Sequence, residues 1–190
     1  MNEIVIKELR KKQFLTVNLL IIAYFAIIAP VISILDASRL TVLLVFIVFM
    51  GISCFHTWRE LGGKKSHLFA WTRQLAAYEK EKLGREWVKS KQTELTSKLF
   101  LIVLFGFQLL LANPREPFIP LEIGLSIWLL FLLALLLLMN ISLYFRNRKI
   151  DRLSTNELQG FTKKENGIGL IVGVMLSIVI VFTILFLVSR

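Results

Sequence analysis

Leu121–Phe145, LEIGLSIWLLFLLALLLLMNISLYF, carries one charged side chain, Glu122, in twenty-five residues, and Arg146-Asn147-Arg148-Lys149 follows at once. A helix rises ~1.5 Å per residue and needs about 20 apolar residues to cross the ~30 Å hydrocarbon layer. The stretch therefore predicts a membrane span with cations at one end. Four more apolar runs fit the same reading: Phe14–Ile34, Leu40–Phe55, Ser97–Ala112 and Ile168–Val188. The third is short, which thinning of the bilayer or snorkelling of Lys98 would accommodate.

Basic residues sort along the chain accordingly. Four precede the first run, ten lie between the second and third (Lys98 at the edge of the third included), and six lie between the fourth and fifth, so that 20 of 23 fall in alternate stretches. Arg39, Arg115 and Arg190 are the remainder. The positive-inside rule then orients the chain with its N-terminus in the cytoplasm and its C-terminus outside. Ten of the 13 acids fall on the same side, which places the whole net charge of +10 on the inner face. If the third run were re-entrant, the stretch 146–167 with its six cations would lie outside, against the rule.

With 56 % apolar residues and fifteen Phe, a chain of 190 residues has more apolar surface than one core can hide. The expectation is an all-α membrane protein: residues 1–190 form a single integral domain, a five-helix transmembrane bundle with an amphipathic cytoplasmic helical insert at about 57–96. The location expected is the plasma (inner) membrane of a bacterium, multi-pass. The basic start at Met1–Gln13 precedes a run too long for a signal core, so the first span is expected to be retained. Cations dispersed over three loops suit anionic headgroups at the inner leaflet, not nucleic acid.

The insert is the one segment large enough to act on its own. Gly62-Gly63 breaks the chain, and Ser66 is placed to cap a helix whose Leu68, Trp71, Leu75 and Tyr78 recur at three and four positions, with Glu81 and Arg85 as a pair on the next turn. Trp87, Val88 and Leu95 continue at helical spacing beyond Gly84 into the third run, as a helix-hinge-helix or one bent helix. The face Leu68, Trp71, Leu75, Tyr78 and Trp87 lies on the headgroups or on the loop after the fourth span, or else docks a cytoplasmic partner.

Inside the apolar runs, Asn18, Gln108 and Asn140 are the best-placed polar side chains, and such amides usually face another helix. Asn18 and Asn140 sit at similar depth and are expected to bond to each other or to line a solute path. Gly169, Gly173 and Ser177 lie four apart on the fifth run, the small-residue spacing of close helix packing. The partner helix for that face is one of the same bundle, of a second copy or of another membrane protein.

A weak internal repeat is also present. Lys12-Gln-Phe14-Leu15-Thr-Val17 is similar to Lys98-Leu-Phe100-Leu101-Ile-Val103, and Met50-Gly-Ile52-Ser53 to Met139-Asn-Ile141-Ser142. This would be a parallel duplication of a helical hairpin, with the fifth span appended.

Chemistry-bearing patterns are sparse. Cys54, His56 and His67 lack the spacing and acidic partner of a metal site. Asp36 and Glu122 fall at outer helix ends, and no hydrolase, phosphate-loop or ion-filter motif occurs. No catalytic, cofactor-binding or metal residues are expected, and no cofactor. The function expected is a non-catalytic polytopic membrane protein acting by contact, as an accessory subunit of a transport or signalling complex or as a self-protection protein, with a membrane-protein partner or a homo-oligomer. The alternative is a small transporter or channel subunit built on the duplicated hairpin. A membrane enzyme working through Cys54 or His56 is the third reading.

Overall fold

The computed structural model describes residues 2–34, 37–64, 69–113 and 125–171, together with 173. Within them the chain is all helix: α1 (Glu3–Ile34), α2 (Arg39–Leu61), α3 (Ala70–Leu83), α4 (Arg85–Leu111), α5 (Leu125–Arg152) and α6 (161–171). There is no β-strand among the described residues. Two helices, α2 and α4, are long and apolar enough to cross a membrane by length and composition. The apolar window of α4 buries none of its residues within the chain.

Local chemistry sets the helix ends. Ser38 caps α2, its hydroxyl accepting from the Thr41 amide at 3.2 Å, and Gly62 closes the helix with its amide returned to the Trp58 carbonyl. Ser66 and Leu68 lie outside the described residues. Helix α3 begins instead behind Phe69, whose extended backbone provides no side-chain cap. Gly84 then adopts φ 52°, ψ −119°, a conformation open only to glycine, and α4 starts at the next residue. The hinge at Gly84 is therefore a full break, and α4 is one unbroken helix of 27 residues, about 40 Å, joining the insert to the third apolar run. Glu81 and Arg85 fall on either side of that break and no ion pair joins them.

After α5 the chain turns sharply. Ser154 and Glu157 form a capping box: the Ser154 amide and hydroxyl both donate to Glu157 at 2.7 Å, and the Glu157 amide donates back to the Ser154 hydroxyl at 3.4 Å. Gly160, at φ 75°, finishes the turn. Helix α6 then enters the fifth apolar run, most of which lies outside the described residues, as do residues 114–124 between the third and fourth runs.

Helix α2 packs along α4, and α1 along α5, while α3 bridges α1, α4 and α5. Ring contacts carry α2 to both neighbours: Phe46 sits 6.4 Å from Tyr24 of α1 and 5.8 Å from Phe105 of α4. The buried core lies at the end where α3 crosses. Leu83, Trp87, Ile150, Leu158 and Phe161 form it, with Tyr78 and Leu153 packed against them. Away from this core, large apolar side chains such as Val103, Phe107 and Leu110 point outward.

Candidate functional site

The end of the molecule around α3 carries a polar cap of paired charges. Helical spacing puts Arg10 and Gln13 on one face of α1 and Arg146, Asn147 and Ile150 on the facing side of α5, with Glu79 arriving from α3. The Arg10 guanidinium grips Asp151 as a fork, Nε to Oδ2 at 3.1 Å and Nη2 to Oδ1 at 2.9 Å, and its Nη1 donates to Glu79. Arg146 approaches Glu79 from the other side with its own fork, at 3.1 and 2.8 Å. Glu79 is thus a buried carboxylate between two guanidiniums. Burial alone would raise its pKa, but the charges and hydrogen bonds of Arg146 and Arg10 hold it down to about 2. Gln13 accepts from both Arg10 and the amide of Asn147, whose own carbonyl oxygen is buried without a hydrogen-bond partner.

A second network ties α2 to α4. Lys91 reaches Glu60 and Glu94, each at 3.0 Å, and Lys98 reaches Glu94 at 2.6 Å and the Thr57 hydroxyl at 2.8 Å. Glu94 sits below its ordinary value: burial pushes it up, and the Lys91 and Lys98 ammoniums outweigh that. Lys98 therefore bonds within the chain at the edge of the third run.

A third group holds α6. Glu86, on the first turn of α4, accepts from the Thr162 amide at 3.0 Å, while the Thr162 hydroxyl donates to the Glu86 carbonyl at 3.1 Å. The carboxylate so caps a helix 76 residues away. Lys89, at 2.6 Å, and then the Thr162 amide hold Glu86 down to about 2.

Both Glu79 and Glu86 have folded pKa values of about 2 against an ordinary 4.5, so an unfolded chain binds more protons between those values. Their stabilisation is complete above pH 4.5 and is lost as pH falls from 4.5 towards 2. We expect the melting temperature of the purified protein to drop steeply below pH 4.5 and the drop to shrink in Glu79→Gln. Glu165 behaves oppositely: burial raises its pKa despite Arg146 at 3.9 Å, so its contribution weakens as pH rises through that raised value.

Between these networks lies a partly open polar cavity of about 360 Å³. One face of α4 provides Trp87, Ser90, Lys91, Thr93, Glu94 and Ser97, spaced at three and four residues over nearly three turns. Glu79 of α3, Arg146 of α5 and Asn166 of α6 complete the walls, and the Asn166 amide donates to the Thr93 hydroxyl at 3.3 Å. The Ser90 and Ser97 hydroxyls bond nothing among the described residues.

The residues singled out from sequence fall as follows. Asn18 and Asn140 meet: Asn18 Nδ2 donates to Asn140 Oδ1 at 3.0 Å, and Asn140 Nδ2 to Asn18 Oδ1 at 2.7 Å. Single and double replacement by leucine should expose a coupling of about 0.6 kcal/mol in a thermodynamic cycle, the average of such bonds between apolar helices, and at most about 1.7 kcal/mol. Gln108 is half-buried on α4 without a hydrogen bond among the described residues.

Of the amphipathic face, Leu75 and Trp87 are buried, Trp71 and Tyr78 are half-buried, and Leu68 lies outside the described residues. Tyr78 lies under the Arg10 guanidinium at 5.9 Å, and burial, with Asp151 close by, pushes its phenol up to about 12. Of the stripe, Trp87 and Tyr78 pack with Ile150 of α5 and with Leu158 and Phe161 beyond it. Gly169 and Gly173 have open space where a Cβ would stand, and Ser177 lies outside the described residues.

Cys54 is buried and His56 exposed on α2, His67 lies outside the described residues, and no metal-binding cluster occurs among the described residues. Sequence reasoning missed the joining of Arg10, Glu79, Arg146 and Asp151. It also missed Glu86 as a cap and the Ser154–Glu157 box, whose Ser-x-x-Glu signature was legible. No protein-family model, curated protein sequence or solved structure matches this chain.

Proposed function

We propose that the chain is a five-span integral protein of a bacterial plasma membrane, N-terminus inside, that acts by contact as a non-catalytic subunit of a membrane complex. The carrying observation is the division of its surface. Charged groups of the cap pair helices with one another: Glu79 of α3 with Arg10 of α1 and Arg146 of α5, Lys91 of α4 with Glu60 of α2, and Glu86 of α4 with the Thr162 amide of α6. Outside the cap, α1, α2, α4 and α5 all display large exposed apolar side chains, a surface that requires lipid or another apolar helix against it.

The positive-inside distribution supports the orientation, since the cap lies at the end where the cations collect. Resistance to alkaline carbonate extraction tests the membrane reading, and in-membrane crosslinking from exposed positions of α4, such as a cysteine at Phe107, tests the contact role. Near-equal recovery of another membrane protein is the expected result. A monomer that captures nothing would sink the contact role.

A second reading, a transporter or channel subunit, is favoured by the pairing of helices. The internal likeness would match α1 with α4 and α2 with α5. Exchanging the two hairpins converts the α1–α5 pair into an α4–α2 pair, which is the other long pair observed. This is the contact pattern of a parallel duplication about an axis normal to the membrane. Solute flux in liposomes, abolished by Asn140→Leu, would favour this reading over the first.

A further inference from the structure

We propose that the cavity between α4, α5 and α6 is a binding site for a small zwitterion that joins a primary ammonium to a phosphate or carboxylate, the chemistry shared by an aminophospholipid headgroup and a free zwitterionic solute. The volume, about 360 Å³, falls in the ~300–1,000 Å³ range of small-ligand sites. Its walls carry both signs of charge, with Lys91 and Glu94 from α4 and Arg146 from α5.

The acceptors suit an N–H-bearing cation: the Ser90 and Ser97 hydroxyls on one face of α4 bond nothing among the described residues, and beside them the Glu94 side chain, paired with Lys91 and Lys98, is still 39 % exposed. A quaternary ammonium has no proton to give them. For the anionic end, Asn166 has an amide on the wall, and the Arg146 Nε faces only Glu165, at 3.9 Å, beyond hydrogen-bond length. The headgroup source rests on the membrane reading above. Ser97 opens the third apolar run and Arg146 follows the fourth, which sets the cavity at the depth of inner-leaflet headgroups.

The test uses the full chain reconstituted in vesicles of phosphatidylcholine with and without phosphatidylethanolamine, and separately in detergent with free phosphoethanolamine or phosphocholine. Ser97→Phe puts a bulky apolar side chain on the cavity wall at an exposed position that takes no part in the ion pairs, and Ser90→Val removes one acceptor as a second variant. Several-fold enrichment of phosphatidylethanolamine in lipid co-purified with the native chain, lost in Ser97→Phe, assigns the headgroup source. Stabilisation of the native chain by phosphoethanolamine but not phosphocholine, again lost in Ser97→Phe and without lipid enrichment, assigns the free solute. No effect of either probe, or equal effects on native chain and variant, overturns the site. Extraction of the chain by alkaline carbonate would remove the membrane reading while leaving the detergent arm a valid test of the cavity.

Discussion

Replacing Glu79 with alanine is expected to cost about 3–5 kcal/mol of folding stability, the range for breaking a buried ion pair by removing one partner. The reason lies less in the lost attraction than in what remains. Arg10 and Arg146 have side chains only 8 % and 28 % exposed, and both point at the position Glu79 vacates. Asp151 still pairs with Arg10, but the nearest remaining acid to Arg146 is Glu165 at 3.9 Å. Two guanidiniums would then face each other across a cavity.

Glu79→Gln keeps the shape and an acceptor, so its loss should be smaller and should reduce the softening below pH 4.5 to the part that Glu86 still contributes. Replacing all three groups together, Arg10→Met, Glu79→Leu and Arg146→Met, should restore part of the stability, because the most deeply buried charges go together and only the partly exposed Asp151 and Glu165 lose a partner. Chemical unfolding in mild detergent, followed by tryptophan fluorescence, measures each case. If Glu79→Ala unfolds with the native midpoint, the cap is not held by this network. Arg146→Lys should also weaken it, since one ammonium cannot reproduce the two parallel bonds to Glu79.

This network marks where the sequence stopped being legible. The distribution of Lys and Arg along the chain carries an expectation of orientation, because the positive-inside rule counts cations per loop and is blind to their individual partners. Which of them become buried depends on α1, α3 and α5 converging. The bonds concerned span 69, 67 and 141 residues, and no local spacing carries that information.

Asn18 and Asn140 lie as far apart in sequence, yet their bond could be anticipated, because depth in an apolar helix supplies a coordinate that soluble loops lack. The stripe of Leu75, Tyr78 and Trp87 was visible from its three-and-four spacing. What it packs on was not, because Leu158 lies in the turn after α5, which has no periodicity of its own, and Phe161 opens α6 just beyond it. The Gly84 break could be suspected from composition, but only its positive φ distinguishes a break from a bend. Continuity of α4 from the insert into the apolar run, by contrast, follows from helical spacing across Trp87, Val88 and Leu95.

Trp87→Ala carries the second large effect, about 3–5 kcal/mol, the usual penalty for emptying the place of a buried aromatic. Trp87 is 5 % exposed and packs with Leu83, Ile150, Leu158 and Phe161, while the Lys80 ammonium stands 5.1 Å from the centre of its ring. The loss should spread beyond the cavity. Glu86 precedes Trp87 on the same turn and caps α6, so loosening this turn frees the Thr162 amide and the start of the fifth apolar run together.

Trp87→Phe should retain most of the packing and lose the larger part of the cation contact, since indole offers the best such face. Trp58→Ala provides the contrast: that side chain is 60 % exposed on α2, and its replacement should move the midpoint by less than about 0.5 kcal/mol in detergent. The ordering Trp87→Ala far above Trp87→Phe, with Trp58→Ala near the native chain, is required if the polar cap holds the main packed core. A comparable loss at Trp58 would mean that the apolar faces carry structural packing within the chain, and the division of surface from which contact function is argued would fail with it.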